Sequence, residues 1–106
     1  MNETEFNQLA EELMLSIEET IDDSGADIDY ENAAGVLTLT IEANGSKVIV
    51  SRQPAMAQIW VAAKSGGYYF NLSGNDWICT ATSEILQVLL ARVCEEQGEA
   101  GMVFGF

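Results

Sequence analysis

Apolar residues change their period twice along this chain, and that change restricts the folds open to it more than any other feature. Phe6, Leu9, Ala10, Leu13, Ile17 and Ile21 recur at three- and four-residue steps, the spacing that places side chains on one face of a helix. Asn2 and Glu5 have capping-box spacing and Ser24-Gly25 supplies a stop, so a helix is predicted over residues 3 to 22. From Asp27 the period falls to two. In DIDYE, Ile28 and Tyr30 share one face of a strand while Asp27, Asp29 and Glu31 share the other. VLTLTIE turns Leu37, Leu39 and Ile41 inward, Asn44-Gly45 has the chemistry of a two-residue hairpin, and KVIVSR returns with Val48 and Val50 inward. QIWVAA, YYFNL and WIC follow, separated by Ser65-Gly66-Gly67 and by Ser73 to Asp76 as turn clusters.

At Ser83 the helical period is expected to resume and to run through Gln97, with Ser83 as cap and Gly98 as stop. Ile85, Leu86, Val88, Leu89, Leu90 and Val93 give that helix a broad apolar face. A helix, about six antiparallel strands and a second helix form an α+β two-layer sandwich, because one apolar sheet face needs cover and two helices supply it. The length of 106 residues fits a single domain. Met102, Val103 and Phe104 in the uncharged tail are expected to tuck along the helices. Trp77 is expected to be structural, and Cys79 and Cys94 are expected to be buried free thiols.

Charge comes next, because it is unevenly spent. Residues 18 to 31, EETIDDSGADIDYE, hold seven carboxylates and no basic residue. The whole chain has 17 acids against 4 bases and a net charge of -13, yet 48% of it is hydrophobic, too apolar for a disordered acidic tail. Glu18 and Asp22, Glu19 and Asp23, and Glu19 and Asp22 stand at helical contact spacing, where like charges destabilise by about 0.2 to 0.5 kcal/mol per pair. They also crowd the negative end of the helix dipole. Local stability opposes this arrangement, and violations on this scale mark function. An all-carboxylate ridge made by Glu18, Glu19, Asp22, Asp23, Asp27, Asp29 and Glu31 suits hard cations with water in the open positions, or a basic protein surface. An EF-hand reading fails, since Asn32 stands where that loop needs glycine and Thr38 where it needs a bidentate glutamate. The expected binding is weak and exchangeable.

Other chemistries find no footing. There is no histidine, no phosphate-cradling glycine loop and no nucleophile elbow, so no catalytic residue is assigned. Four bases among seventeen acids argue against nucleic acid as a partner. No apolar run approaches membrane-spanning length and MNETEF has no signal-peptide character, so no membrane association and a cytoplasmic location are expected. Strand parity turns Val48, Val50, Ile59 and Val61 to the core and sets Ser51, Gln53, Gln58 and Trp60 on the opposite sheet face, where an indole flanked by amides suits a protein partner.

SRQPAMAQIWVAAKSGGYYFNLSGNDWI, residues 51 to 78, resembles the signature of the frataxin family, and MNETEFNQLAEEL with IEETIDD makes its bacterial branch the nearer likeness. The resemblance covers all but the last few residues. It implies a frataxin-like sandwich, weak binding of ferrous and ferric iron, with other divalent cations admitted, and a place in iron-sulfur cluster assembly as iron donor, as regulator of a cysteine desulfurase, or both. Its implied partners are that desulfurase and the iron-sulfur scaffold protein, with a monomer expected in the absence of metal. By position, Glu18, Glu19, Asp22 and Asp23 match the family's helix carboxylates, Asp27, Asp29 and Glu31 its first-strand acids, and Trp60 with Gln53 and Gln58 its partner-binding sheet. Ser51 and Tyr69 depart from residues common among relatives, and the turn after Asp23 is shorter than in some bacterial ones. The alternative reading is an acidic module that docks on a basic surface without physiological metal.

Overall fold

The computed structural model describes all 106 residues. Helix α1 spans Glu3–Ser24, and strands β1 (Ile28–Ala33), β2 (Val36–Ile41), β3 (Ser46–Gln53), β4 (Gln58–Ala63), β5 (Gly66–Ser73) and β6 (Asp76–Cys79) follow, then helix α2 (Leu86–Glu96). A short 3-10 turn, Pro54–Met56, joins β3 to β4. The strands pair in chain order, each antiparallel to the next, so β1 is one edge of the sheet and β6 the other. Both helices cover one face. Phe6, Met14 and Ile17 of α1 and Leu86, Leu89 and Leu90 of α2 are fully buried with Leu39, Val50, Ile59 and Phe70 of the sheet. Trp77 packs edge-on to Phe6 inside this core, with ring centroids 6.0 Å apart, as its structural assignment requires.

The cap of α1 is a variant of the expected one. Asn2 Oδ1 accepts from the Glu5 backbone N–H at 2.8 Å, but the Glu5 carboxylate takes the Asn2 side-chain amide instead of the Asn2 backbone N–H. Gly25, at φ 70°, ends the helix in the left-handed conformation that glycine adopts without a Cβ penalty.

Several expectations need correction. The second helix does not start at Ser83, whose φ is +63°; Ile85 stays extended and bridges Ile78, while the Cys79 N–H donates to the Glu84 carbonyl. Pairing with β6 therefore delays the helix to Leu86. Val88 is 52% exposed, because at about 100° per residue it stands 200° from both Leu86 and Leu90. The β2–β3 connection has four residues, 42 to 45: the Glu42 N–H is held by the Asp27 carbonyl and the Asn44 and Gly45 N–H groups both reach the Ile41 carbonyl. Gly66 and Gly67 belong to β5, so the preceding turn is Lys64-Ser65. In the extended tail Met102 and Phe104 are buried, but Val103, on the other side, is 77% exposed.

Two polar anchors tie the layers. Gln97, just past α2, is buried and donates to Ser46 Oγ and the Lys47 carbonyl, accepts from the Lys64 N–H, and gives its own carbonyl to Asn44. Arg92 makes a two-pronged bond to Glu84 (3.0 and 2.8 Å), reaches Glu96, and lies 5.7 Å over the Tyr68 ring. The Arg92 guanidinium holds the Glu84 carboxyl below the usual carboxylate range.

Candidate functional site

The acidic stretch occupies the C-terminal half of α1 and the edge strand β1, and two hydrogen bonds clasp these elements together. Tyr30 lies on the core-side face of β1, and its hydroxyl crosses to Asp22, donating to Oδ2 at 2.7 Å. Asn32, two residues on, donates its amide to Glu18 Oε2 at 3.1 Å. Both donors are neutral. Acceptance by the Asp22 carboxylate raises the Tyr30 phenol above its ordinary value, since ionisation would replace a hydrogen bond with repulsion. Sequence periodicity places Tyr30 correctly but says nothing of the reach of its hydroxyl. Asn32 carries no signal beyond a polar residue on an edge.

The seven expected ligands divide into two banks around this edge. Glu18, Glu19, Asp22 and Asp23 project from the helical layer, and Glu19, Asp22 and Asp23 are exposed. Asp29 and Glu31 leave β1 from the opposite face to buried Ile28, with exposed Asp27 at the entry to the strand. The ridge thus wraps β1 instead of lying in one plane. Three ion pairs exist in the protein: Arg52 with Glu11, and Arg92 with Glu84 and with Glu96. None involves a ridge acid. Nor do three carboxylates converge closely enough to hold one metal ion as a preformed cluster, so a cation here would meet one or two carboxylates and keep several waters. Hard carboxylate oxygens are the donor type that iron accepts under those conditions.

The open sheet face carries the other assigned residues. Trp60 lies opposite Ser51 on β3 and Tyr69 on β5, and Gln53 lies opposite Gln58. All four expected residues share this face, but they are less free than expected. The indole is half-buried and lies across Gly67, where an added Cβ would sit 3.0 Å from the indole Nε1. Its ring centroid is 6.4 Å from that of Tyr69, which is 47% exposed and extends the aromatic surface. Gln58 gives its amide to Asn71 at 2.9 Å, a bond that a partner would have to replace. The signal for Gly67 was the parity of its strand. It stands one residue from the Val61 partner Tyr68, on the Trp60 side.

Both cysteines are buried and unpaired, and burial pushes the Cys94 thiol up to about 11. They face the core, away from the ridge. No helix is long and apolar enough to cross a membrane.

Comparison with known proteins is consistent with this geometry. Residues 1 to 100 match the family model described as a frataxin-like domain. A frataxin from Psychromonas ingrahamii, studied for stability modulation within the CyaY family, is 34% identical and superposes with a TM-score of 0.94 over 100% of both chains. Trimeric frataxin from the yeast Saccharomyces cerevisiae, complexed with ferrous iron, is 30% identical with a TM-score of 0.66, covering 87% of this chain and 83% of that one. The same yeast trimer with its full-length N-terminus matches at 30% identity and TM-score 0.66, covering 87% and 77%.

Proposed function

This chain belongs to the frataxin family, and from that premise we propose that it is an iron-binding accessory protein of iron-sulfur cluster assembly in the cytoplasm. Ferrous or ferric iron is held weakly along Glu18, Glu19, Asp22, Asp23, Asp27, Asp29 and Glu31. The protein meets a cysteine desulfurase through the helix acids and the scaffold protein through Trp60, Gln53 and Gln58, serving as iron donor, as regulator, or both. It supplies no catalytic residue of its own. The observation that carries this reading is that no ridge carboxylate has a cationic partner within the chain, so relief of their repulsion must come from outside.

The donor set fixes the character of the binding. Carboxylates spread over two banks, with positions left to water, give affinities on the order of micromolar or weaker by the rule that ligand count and rigidity set affinity. Cation exchange is then fast, as cargo requires. The metal-free protein is a monomer in this proposal, with any assembly following cation binding, in line with the ferrous-complexed yeast trimer.

A second reading is favoured by one observation, the absence of any three-carboxylate cluster: the ridge would then be a docking surface for a basic protein, without physiological metal. Charge reversal at Glu19 and Asp22 abolishes desulfurase binding under both readings. Anaerobic titration with ferrous iron separates them. The metal reading expects shifted resonances along residues 18 to 31, including Tyr30, and altered desulfurase kinetics. Unmoved ridge resonances together with unchanged kinetics would leave only the docking module.

A further inference from the structure

At the opposite edge of the sheet from the ridge, a groove of about 410 Å³ opens between α1, the β5–β6 turn and Phe106. Leu9, Leu13, Trp77 and Phe106 form its apolar walls, and Phe106 is still 43% exposed there. The charged groups on it are carboxylates only, those of Glu12 and Asp76. Both are exposed and neither takes part in an ion pair. Gln87 also lines the groove and ties the tail to it: its amide nitrogen donates to the Phe106 carbonyl at 2.9 Å, while its Oε1 is shielded from solvent and has no donor.

The chain's own cations do not serve this groove. Arg52 and Arg92 are engaged with Glu11, Glu84 and Glu96. Lys47 and Lys64 stand beside Gln97, ten residues further along the chain than Gln87 and so about 15 Å away along α2.

We propose that this groove is a second docking site, separate from the ridge, for a protein segment in which an arginine lies between apolar residues. The aliphatic stem of the arginine and its apolar neighbours cover Leu9, Leu13, Trp77 and Phe106. The guanidinium brings several donors to the exposed carboxylates of Glu12 and Asp76, which is the match of fork to acceptors that arginine provides and lysine does not. The volume lies in the range of about 300 to 1,000 Å³ typical of sites for small ligands, room for an arginine with an apolar neighbour. A membrane is disfavoured as the occupant, since an anionic rim on a chain of net charge -13 repels anionic lipid.

The test uses the full isotope-labelled chain and a capped tripeptide, acetyl-Leu-Arg-Leu-amide, with acetyl-Leu-Gln-Leu-amide as its neutral counterpart. The arginine peptide is expected to shift the Trp77 indole and Gln87 side-chain resonances. It should bind about tenfold more tightly than the glutamine peptide, the ratio that roughly 1.4 kcal/mol of charge-assisted bonding supplies. The double variant Glu12→Gln with Asp76→Asn, both at exposed positions, should remove that preference while its backbone spectrum stays native. The ridge variant Glu19→Gln with Asp23→Asn should keep it. Shifts confined to residues 18 to 31, equal binding of the two peptides, or loss of groove binding in the ridge variant would each overturn the proposal. None of these results depends on iron, so the groove and the ridge readings fail separately.

Discussion

If the ridge is a place where the chain tolerates repulsion, removing one charge should stabilise the fold, the reverse of what most substitutions do. Asp23→Asn is the cleanest case. Asp23 is exposed, lies in the last turn of α1 and has no side-chain hydrogen bond. It faces Glu19 one turn back, a like-charge contact costing about 0.2 to 0.5 kcal/mol. Its position at the negative end of the helix dipole, with no basic residue in the last turn, costs about 0.3 to 1 kcal/mol more at low ionic strength. Asparagine and aspartate have similar helix propensity, so the gain is about 0.5 to 1.5 kcal/mol. A domain of this size translates each kcal/mol into roughly 4 °C or somewhat more of melting temperature. Asp22→Asn supplies the contrast, because Asp22 has the same dipole penalty and two acidic neighbours but also accepts from Tyr30. Neutralising it weakens that bond, and the net gain should be smaller than for Asp23→Asn. Thermal melts followed by circular dichroism at low and high salt test both points, since screening at a Debye length of about 10 Å or less removes most of the effect. A destabilised Asp23→Asn variant, or a gain that does not shrink in salt, would refute the reasoning.

Three further outcomes follow from other parts of the structure. Gln97→Ala removes the acceptor of the Lys64 N–H and the donor to the Lys47 carbonyl; with about 1 to 3 kcal/mol for each group left unpaired, urea unfolding should show a loss of roughly 2 to 6 kcal/mol, and a loss under 1 would mean that water replaces the amide. Gly67→Ala pushes a methyl toward the Trp60 indole, 3.0 Å away, so fluorescence should report a more solvated Trp60 against the constant signal of buried Trp77 while the melting temperature changes little. Cys94, raised to about 11 by burial, stays protonated in the native state while its unfolded counterpart ionises near 8.5. Stability from this group is therefore intact below about 8.5 and falls as pH climbs toward 11, by on the order of 3 kcal/mol in all; Cys94→Ala should flatten that part of the alkaline profile, and equal slopes would count against it.

What the sequence disclosed and what it hid divide along one physical line. Period-two alternation in β2, β3 and β4 assigned Leu37, Leu39, Val48, Val50, Ile59 and Val61 to the core, and all are buried, because facing is a local property of a strand. The same parity put Trp60 on the open face. The start of α2 was not legible, since Ser83 and Glu84 look like a helix entry until Ile85 is paired with Ile78. That pairing is tertiary. The loop after β2 was misjudged for a similar reason: Glu42 and Asn44 are bonded to Asp27 and Gln97, residues remote in sequence. At the ridge, the composition of residues 18 to 31 announced the charge, but the division into two banks around β1 depends on how α1 docks on the sheet edge.

The clasp between α1 and β1 explains how the ridge can be both ordered and charged. An arginine or lysine at position 30 or 32 would hold Asp22 and Glu18 as firmly, and would cancel the charge that makes them useful. Tyrosine and asparagine donate one hydrogen bond each, at 2.7 and 3.1 Å, and leave the carboxylates negative. Their second lone pairs remain open to a cation or a guanidinium. Order comes from neutral donors, while the repulsion among the remaining acids is borne by a core in which Phe6, Ile17, Leu39 and Phe70 are fully enclosed and by the Gln97 and Arg92 anchors. Tyr30→Phe should therefore loosen the edge without altering net charge. Hydrogen exchange in β1 should quicken at amides paired with β2, while α2 keeps its protection. If α2 and β1 quickened together, the clasp would be a prop of the whole fold and the separation between ordered ridge and stable core would not hold.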